Sequence, residues 1–278
     1  MKGGVAVWLN GRLLDESEAR ISPFDHGLLT GDGVFETLRV YPPGVAFAVT
    51  RHLDRLARSA AGLGLPLPEP AVLCRAMDEV IAANRLSDGR LRITVTGGAA
   101  ALGSDRGDTE PTVIVAGSVM APWPQTADVL TVPWPRNERG ALAGLKTVSY
   151  GENVVALARA RRAGADEAVF GNLAGNLCEG TGTNVFLSVD GQLVTPPLSA
   201  GCLAGVTRDL LGELLPVVEK DVPLASLQEA DEAFLTSSTR EVQPVRAVDG
   251  RVLPHTPGPL TTGARQAFQR LLATSLDP

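Results

Sequence analysis

Short stretches that alternate apolar and polar residues trade places along this chain with stretches whose apolar residues recur every three or four positions. Residues 5–9 read as a strand, and Asn10-Gly11 behind them is a hairpin signal, with Arg12–Asp15 as the return strand. Residues 34–40 alternate and predict a half-buried strand, and residues 45–49 predict another. Leu53, Leu56, Ala60 and Leu63 then fall at helical spacing. Pro66, Pro68 and Pro70 interrupt the chain, and Pro70 opens a second helix with Leu73, Met77 and Val80 on one face. Strands are expected at 91–96 and 112–116, on either side of a glycine-rich loop that carries Asp105, Arg106 and Asp108.

Ala121-Pro-Trp-Pro-Gln125 has the composition of a linker. Beyond it the pattern predicts strands at 129–132, 168–170, Asn184–Val189, Gln192–Thr195, 232–236 and 242–248. Asp190-Gly191 and Asp249-Gly250 mark tight turns. Helices are expected at 152–163, stopped by Gly164, at 207–215, ended by Pro216, and at 261–272. There is no internal repeat. Hairpins mixed with helices predict an α+β or α/β chain in two lobes: residues 1–120, a linker at 121–126, and residues 127–278.

Composition narrows the function classes. Of 278 residues, 44% are hydrophobic, enough for a sizeable core. A net charge of −6 with few aromatics argues against nucleic-acid binding. No run is long enough to span a bilayer, and residues 1–10 lack the apolar core and cleavage site of a secretory leader. Cys74, Cys178 and Cys202 are few, odd in number and far apart, which predicts buried free thiols and a reducing cytoplasmic compartment. His26, His52 and His255 form no Cys/His cluster, so no metal site is expected.

Four features carry chemistry. The chain has three lysines, and Lys146 stands apart from Lys2 and Lys220, with no other charge between Arg139 and Glu152. Apolar surroundings penalise an ammonium, and a neutral amine can add to an aldehyde to give a Schiff base. Glu179 stands at the mouth of the glycine-rich turn 178–184, where a carboxylate can meet a heterocyclic nitrogen. Gly205 precedes Val206 and Thr207 at a helix start, whose free N–H groups suit a phosphate. Thr236-Ser237-Ser238-Thr239 clusters hydroxyls at the end of an apolar strand. Each feature also has an ordinary structural reading: a snorkelling lysine, a solvated glutamate, a helix cap and an ST-turn.

Taken in order, the motifs resemble the class IV aminotransferases, the fold-type IV enzymes dependent on pyridoxal 5′-phosphate. The matching pieces are Gly144-Leu-Lys-Thr147, Ala165-Asp-Glu-Ala168, Glu179-Gly-x-x-x-Asn-Val-Phe186, Gly205-Val-Thr-Arg208 and Thr236-Ser-Ser-Thr-Arg-Glu-Val-Gln-Pro244. Gly31-Asp-Gly-Val-Phe-Glu-Thr37 and His52-Leu-Asp-Arg55 extend the likeness through the first half. Gly31-x-Gly33 alone lacks the third glycine of a dinucleotide fingerprint.

The resemblance implies a small N-terminal α/β lobe, a larger C-terminal lobe with a pseudo-barrel of strands, and a homodimer whose partner closes the substrate pocket. It makes Lys146 the Schiff-base lysine and general base, and Glu179 the partner of the pyridine nitrogen. Arg55, Val206, Thr207 and Ser238 become phosphate ligands, and Tyr150 a neighbour of the cofactor's phenolic oxygen. Phe35, Arg106 and Thr239 would meet substrate. The implied reaction moves an amino group from a D-amino acid, or a primary (R)-amine, to a 2-keto acid. Release of 4-aminobenzoate and pyruvate from aminodeoxychorismate is one alternative, and branched-chain amino acid transamination another. The D-amino acid enzymes carry an Arg-x-His carboxylate trap after the strand matching 91–96. Here the segment from Gly97 to Arg106 has none, which leaves Arg106 either as a substitute or as a surface charge offset by Asp105 and Asp108.

Overall fold

The structure, a computed structural model, describes residues 5–278. Lys2 and the first four positions of the 1–10 stretch lie outside the described residues. The chain divides into two compact units. The first comprises the described residues up to Ala121 together with 145–150 and 276–278, and the second comprises 122–144 and 151–275. The linear division at 121–126 anticipates neither return. Lys146 thus belongs to the first unit.

In the first unit, β1 (Ala6–Leu9) and β2 (Arg12–Asp15) form the expected hairpin, with Asn10 and Gly11 both at positive φ. A short helix, α1 (His26–Leu29), precedes β3 (Gly33–Tyr41) and β4 (Val45–Ala46). The strand expected at 45–49 ends early because Ala48 takes a left-handed conformation and α2 (Val49–Leu63) begins at once. Next come α3 (Pro70–Asn84), β5 (Gly89–Thr96) and β6 (Thr112–Ser118). The six-stranded sheet runs β2-β1-β6-β5-β3-β4, antiparallel throughout. Leu38, Leu56, Leu73, Met77 and Ile93 fill the core between one sheet face and α2 and α3.

In the second unit, β7 (Ala127–Arg136) is followed by α4 (Gly151–Arg162), β8 (Glu167–Asn172), β9 (Leu177–Gly180), β10 (Asn184–Val189) and β11 (Gln192–Thr195). Then come α5 (Val206–Leu214), β12 (Val217–Glu219), α6 (Ser226–Glu229), β13 (Ala233–Ser237), β14 (Glu241–Val248), β15 (Arg251–Val252) and α7 (Pro259–Thr274). The nine strands make one curled sheet, ordered β12-β11-β10-β13-β14-β7-β8-β9 with β15 paired to β14. Pairs β11–β12, β14–β7 and β7–β8 are parallel and the rest antiparallel. β8 is buried along its whole length, and β9, read from sequence as part of a turn, pairs with it. The α+β expectation therefore holds. Cys178 and Cys202 are buried and Cys74 half-buried, all as free thiols. No helix among the described residues is long and apolar enough to cross a membrane.

One buried carboxylate starts α7. Its N-cap is Gly258, which has no side chain to offer the free N–H groups of the first turn. Glu232 supplies the acceptor instead, taking hydrogen bonds from Leu260 N (3.0 Å), Thr261 N (2.8 Å) and Thr261 Oγ1 (2.6 Å). Glu232→Ala is expected to destabilise the protein by about 1–3 kcal/mol, the range for leaving buried donors unmet. Urea unfolding checks this.

Candidate active site

The predicted site residues fall into two groups, one in each unit. In the first, the segment around Lys146 is stitched to β3. Phe35 N donates to Lys146 O (3.0 Å), Val148 N to Gly33 O (2.8 Å), and Val34 and Thr147 form an isolated bridge. Lys146 N also donates to Ser59 Oγ on α2 (3.1 Å). This backbone holds Lys146 Nζ 4.4 Å from the centroid of the Phe35 ring, and Tyr150 meets the same ring edge-on at 5.2 Å. The structure thus brings Lys146, Phe35 and Tyr150 together. It adds one residue that sequence reading did not select: Arg92 of β5 stacks on Phe35 with its guanidinium carbon 3.6 Å from the ring centroid. Thr94 is cross-strand partner of Phe35, and Arg92 of Thr37, so Arg92 reaches the ring diagonally. Its parity with Arg90 and Thr94 marks only a polar sheet face, so pattern alone gives no sign of the contact.

Arg55 is buried against Glu36. Its Nε donates to Glu36 Oε1 and its Nη2 to Oε2, both at 2.7 Å. His52, one helical turn earlier on α2, meets Glu36 Oε2 through Nδ1 at 2.7 Å. Glu36 and His52 are shut away from solvent. Burial alone would raise the Glu36 carboxyl, but the Arg55 charge, with hydrogen bonds from Arg55 and His52, holds it at about 2. Burial depresses His52 below its ordinary value, with help from the Arg55 and Lys146 charges and against the pull of Glu36. A neutral His52 then carries its proton on Nδ1, facing the carboxylate. The half-buried strand expected at 34–40 is present as β3, with an acid on its buried face: Glu36 shares the parity of Val34, Leu38 and Val40, a sequence sign of a buried partner.

Arg106 pairs with Asp32 (Nε–Oδ2 3.1 Å) and donates to backbone carbonyls of Leu63 and Gly64. Neither Asp105 nor Asp108 takes that pairing. Asp25 caps α1 through Gly27 N (2.9 Å) and accepts from Thr96 Oγ1 (2.9 Å). Asp25 therefore ties the start of α1 to the end of β5.

In the second unit, Glu179 lies on β9. Arg136 Nε donates to its Oε1 (3.1 Å) and Leu203 N to its Oε2 (2.9 Å). The Arg136 guanidinium rests on the Phe170 ring at 4.1 Å. Asn184 Nδ2 donates to Leu203 O (2.9 Å), which links this carboxylate to the loop before α5. Gly205 is the N-cap of α5 and offers no side-chain cap; a Cβ there would stand 1.9 Å from Asn184 Oδ1. No side chain of the N-cap meets the first N–H groups of α5, at Val206 and the buried Thr207, an arrangement that suits an anion. Asn184 pairs in register with Thr236, which leads directly to Ser237, Ser238 and Thr239. Burial pushes both buried thiols up, Cys202 to about 12, so neither serves as a nucleophile near neutrality.

Residues 33–248 match the amino-transferase class IV family. The chain belongs to the class IV aminotransferases. It is 36% identical to the putative branched-chain-amino-acid aminotransferase of Methanocaldococcus jannaschii over 274 residues, covering 95% of each chain. It is 32% identical to the D-alanine aminotransferase of Bacillus licheniformis over 272 residues, again covering 95% of each. Among solved structures, the branched-chain amino acid aminotransferase of Thermobaculum terrenum in its pyridoxal-phosphate form superposes with a TM-score of 0.88 at 26% identity, over 98% of this chain and 95% of that one. The protein is a pyridoxal-phosphate-dependent aminotransferase of fold type IV. Its residues fit that cofactor: a bare Gly205 at a helix start with no cap, a carboxylate held by arginine, and a lysine amine against an aromatic ring.

The Glu36–His52–Arg55 cluster makes stability depend on acid. The unfolded chain binds a proton at His52 below about pH 6.5, ahead of the folded protein. Stability is therefore full above that value and falls as pH drops below it. Glu36 adds a second loss as pH falls from 4.5 toward about 2. His52→Gln is expected to flatten the first part of the curve, read as the urea midpoint against pH.

Proposed function

We propose that this aminotransferase takes the amino group of an apolar α-amino acid of the branched-chain type and passes it to a 2-keto acid. The single observation that carries the substrate class is Arg92 stacked on Phe35, the ring that Lys146 Nζ also faces. A guanidinium held on the same ring as the reacting amine is a receptor for an α-carboxylate, and the aromatic wall suits an apolar side chain. The second reading, a D-amino acid donor, draws support from the likeness to the D-alanine aminotransferase. It is the weaker one, because the Arg-x-His pattern is lacking and Arg106 is already engaged by Asp32.

Bound pyridoxal phosphate supplies the aldehyde carbon that receives the amino group and a pyridine ring that withdraws electrons. Lys146 Nζ would serve as the base that takes the proton from the substrate Cα and holds it for return. Glu179 holds a proton at the pyridine nitrogen, and Arg136 and Leu203 N hold Glu179. Arg55, Val206, Thr207 and Ser238 bind the phosphate. Tyr150 would neighbour the phenolic oxygen, and Thr239 would line the substrate side. The enzyme works as a homodimer in the cytoplasm, an assembly that size-exclusion chromatography reads directly.

Lys146→Ala is expected to shift the near-ultraviolet or visible band of the holoenzyme toward that of free pyridoxal phosphate and to lower turnover by about a hundredfold or more. In half-reactions, L-leucine is expected to bleach the wild-type band faster than D-alanine or (R)-1-phenylethylamine. Faster bleaching by D-alanine would favour the second reading, and 4-aminobenzoate formed from aminodeoxychorismate would favour a lyase. Arg92→Leu is expected to raise KM for the amino acid about ten- to hundredfold, the worth of a charged hydrogen bond, while leaving (R)-1-phenylethylamine unaffected.

A further inference from the structure

We propose that the buried Glu167–Arg240 ion pair is a positioning device that fixes two cofactor-holding turns of the second unit in one register. The inference rests on the cofactor roles assigned above to Glu179 and Ser238. Arg240 Nη2 donates to Glu167 Oε2 at 3.0 Å, with both side chains nearly closed to solvent. Glu167 reaches further into the backbone of one turn, and Arg240 stands at the end of another.

Glu167 Oε1 accepts from Thr181 N (3.2 Å) and Thr181 Oγ1, and from Ala168 N (3.1 Å). Thr181 stands two residues after Glu179. Asn153 Nδ2 of α4 grips the same turn at Thr181 O. On the other side, Arg240 N donates to Ser237 Oγ (3.1 Å), closing the loop that contains Ser238 and Thr239. Arg240 Nη1 donates to Gln243 Oε1 at 2.5 Å, and Gln243 Nε2 donates in turn to Pro124 O (2.8 Å). The Trp123 ring covers the guanidinium at 3.9 Å.

The pair thus has more to do than neutralise itself. A buried ion pair is a weak source of net stability, since desolvation offsets most of the attraction. What it contributes is direction: the carboxylate fixes the turn after the pyridine partner, and the guanidinium, held by Glu167 and Gln243, anchors Arg240, whose own backbone N–H closes the turn that offers hydroxyls to the phosphate. A displacement of about 1 Å in such a contact costs a large factor in binding or rate.

The test uses full-length apoprotein titrated with pyridoxal 5′-phosphate and with pyridoxal, which lacks the phosphate. In Glu167→Leu/Arg240→Met both charges go, so neither is left buried and unpaired. This variant is expected to fold, by circular dichroism, and to bind pyridoxal phosphate roughly tenfold more weakly or worse, with a much smaller change for pyridoxal. Arg240→Lys keeps the charge but cannot span Glu167 and Gln243 together, and its phosphate-selective loss should be intermediate. If the double variant does not fold, Arg240→Lys carries the comparison. Unchanged affinity in a folded variant, or equal losses for the two ligands, would overturn the positioning role and leave the enzyme reading intact. A wild-type apoprotein that binds neither ligand would overturn both.

Discussion

A carboxylate withdrawn from water has to be met by donors, and the three buried glutamates among the described residues stand where the backbone must not move. Glu36, Glu167 and Glu232 are all buried. Each is met in full: Glu36 by the Arg55 fork and His52, Glu167 by Arg240 and Thr181, Glu232 by the first turn of α7. Leaving any of these donors or acceptors unmatched is costly, so each contact admits few alternative arrangements. The elements fixed in this way are α2 with Arg55, the turn after Glu179 together with the Ser238 loop, and the start of α7.

The hydrophobic core supplies the bulk of the stability and the polar contacts supply the aim. In the first unit, Leu38, Leu56 and Ile93 are fully buried, and the same strand and helix carry Glu36 and Arg55 on that face. In the second, β8 is buried from end to end and offers Glu167 from its first position. A sheet packed this densely is hard to compress, which suits a site whose parts come from widely spaced segments. The lysine illustrates it: Lys146 is fixed less by its sequence neighbours than by β3 and Ser59.

Much of this is legible in the sequence where the information is local. The Asn10-Gly11 and Asp190-Gly191 turns, the helix opened by Pro70 and the strands around Asn184 all follow from pattern and turn chemistry. The lysine, the glutamate and the helix-start glycine stand out by composition and order. What escapes is long-range. Residues 145–150 return to the first unit through bonds to β3, which no window around Lys146 reveals. Glu179 lies on a strand because a fully buried neighbour needs an edge partner, whereas its glycines spell a turn. Arg92 and Arg136 gain meaning only from the rings of Phe35 and Phe170 against which they rest. Arg240, next to a hydroxyl cluster, carries no local sign of its partner, because Glu167 lies far away in the chain.

The central claim is that one amine of three in this chain bonds the cofactor aldehyde. Reducing the holoenzyme with borohydride would make that bond permanent, and peptide mapping by mass spectrometry would locate it. The account predicts a phosphopyridoxyl group on the peptide containing Lys146 and none on those containing Lys2 or Lys220. A label on either of the other lysines, or no label after reconstitution with pyridoxal phosphate, would contradict it.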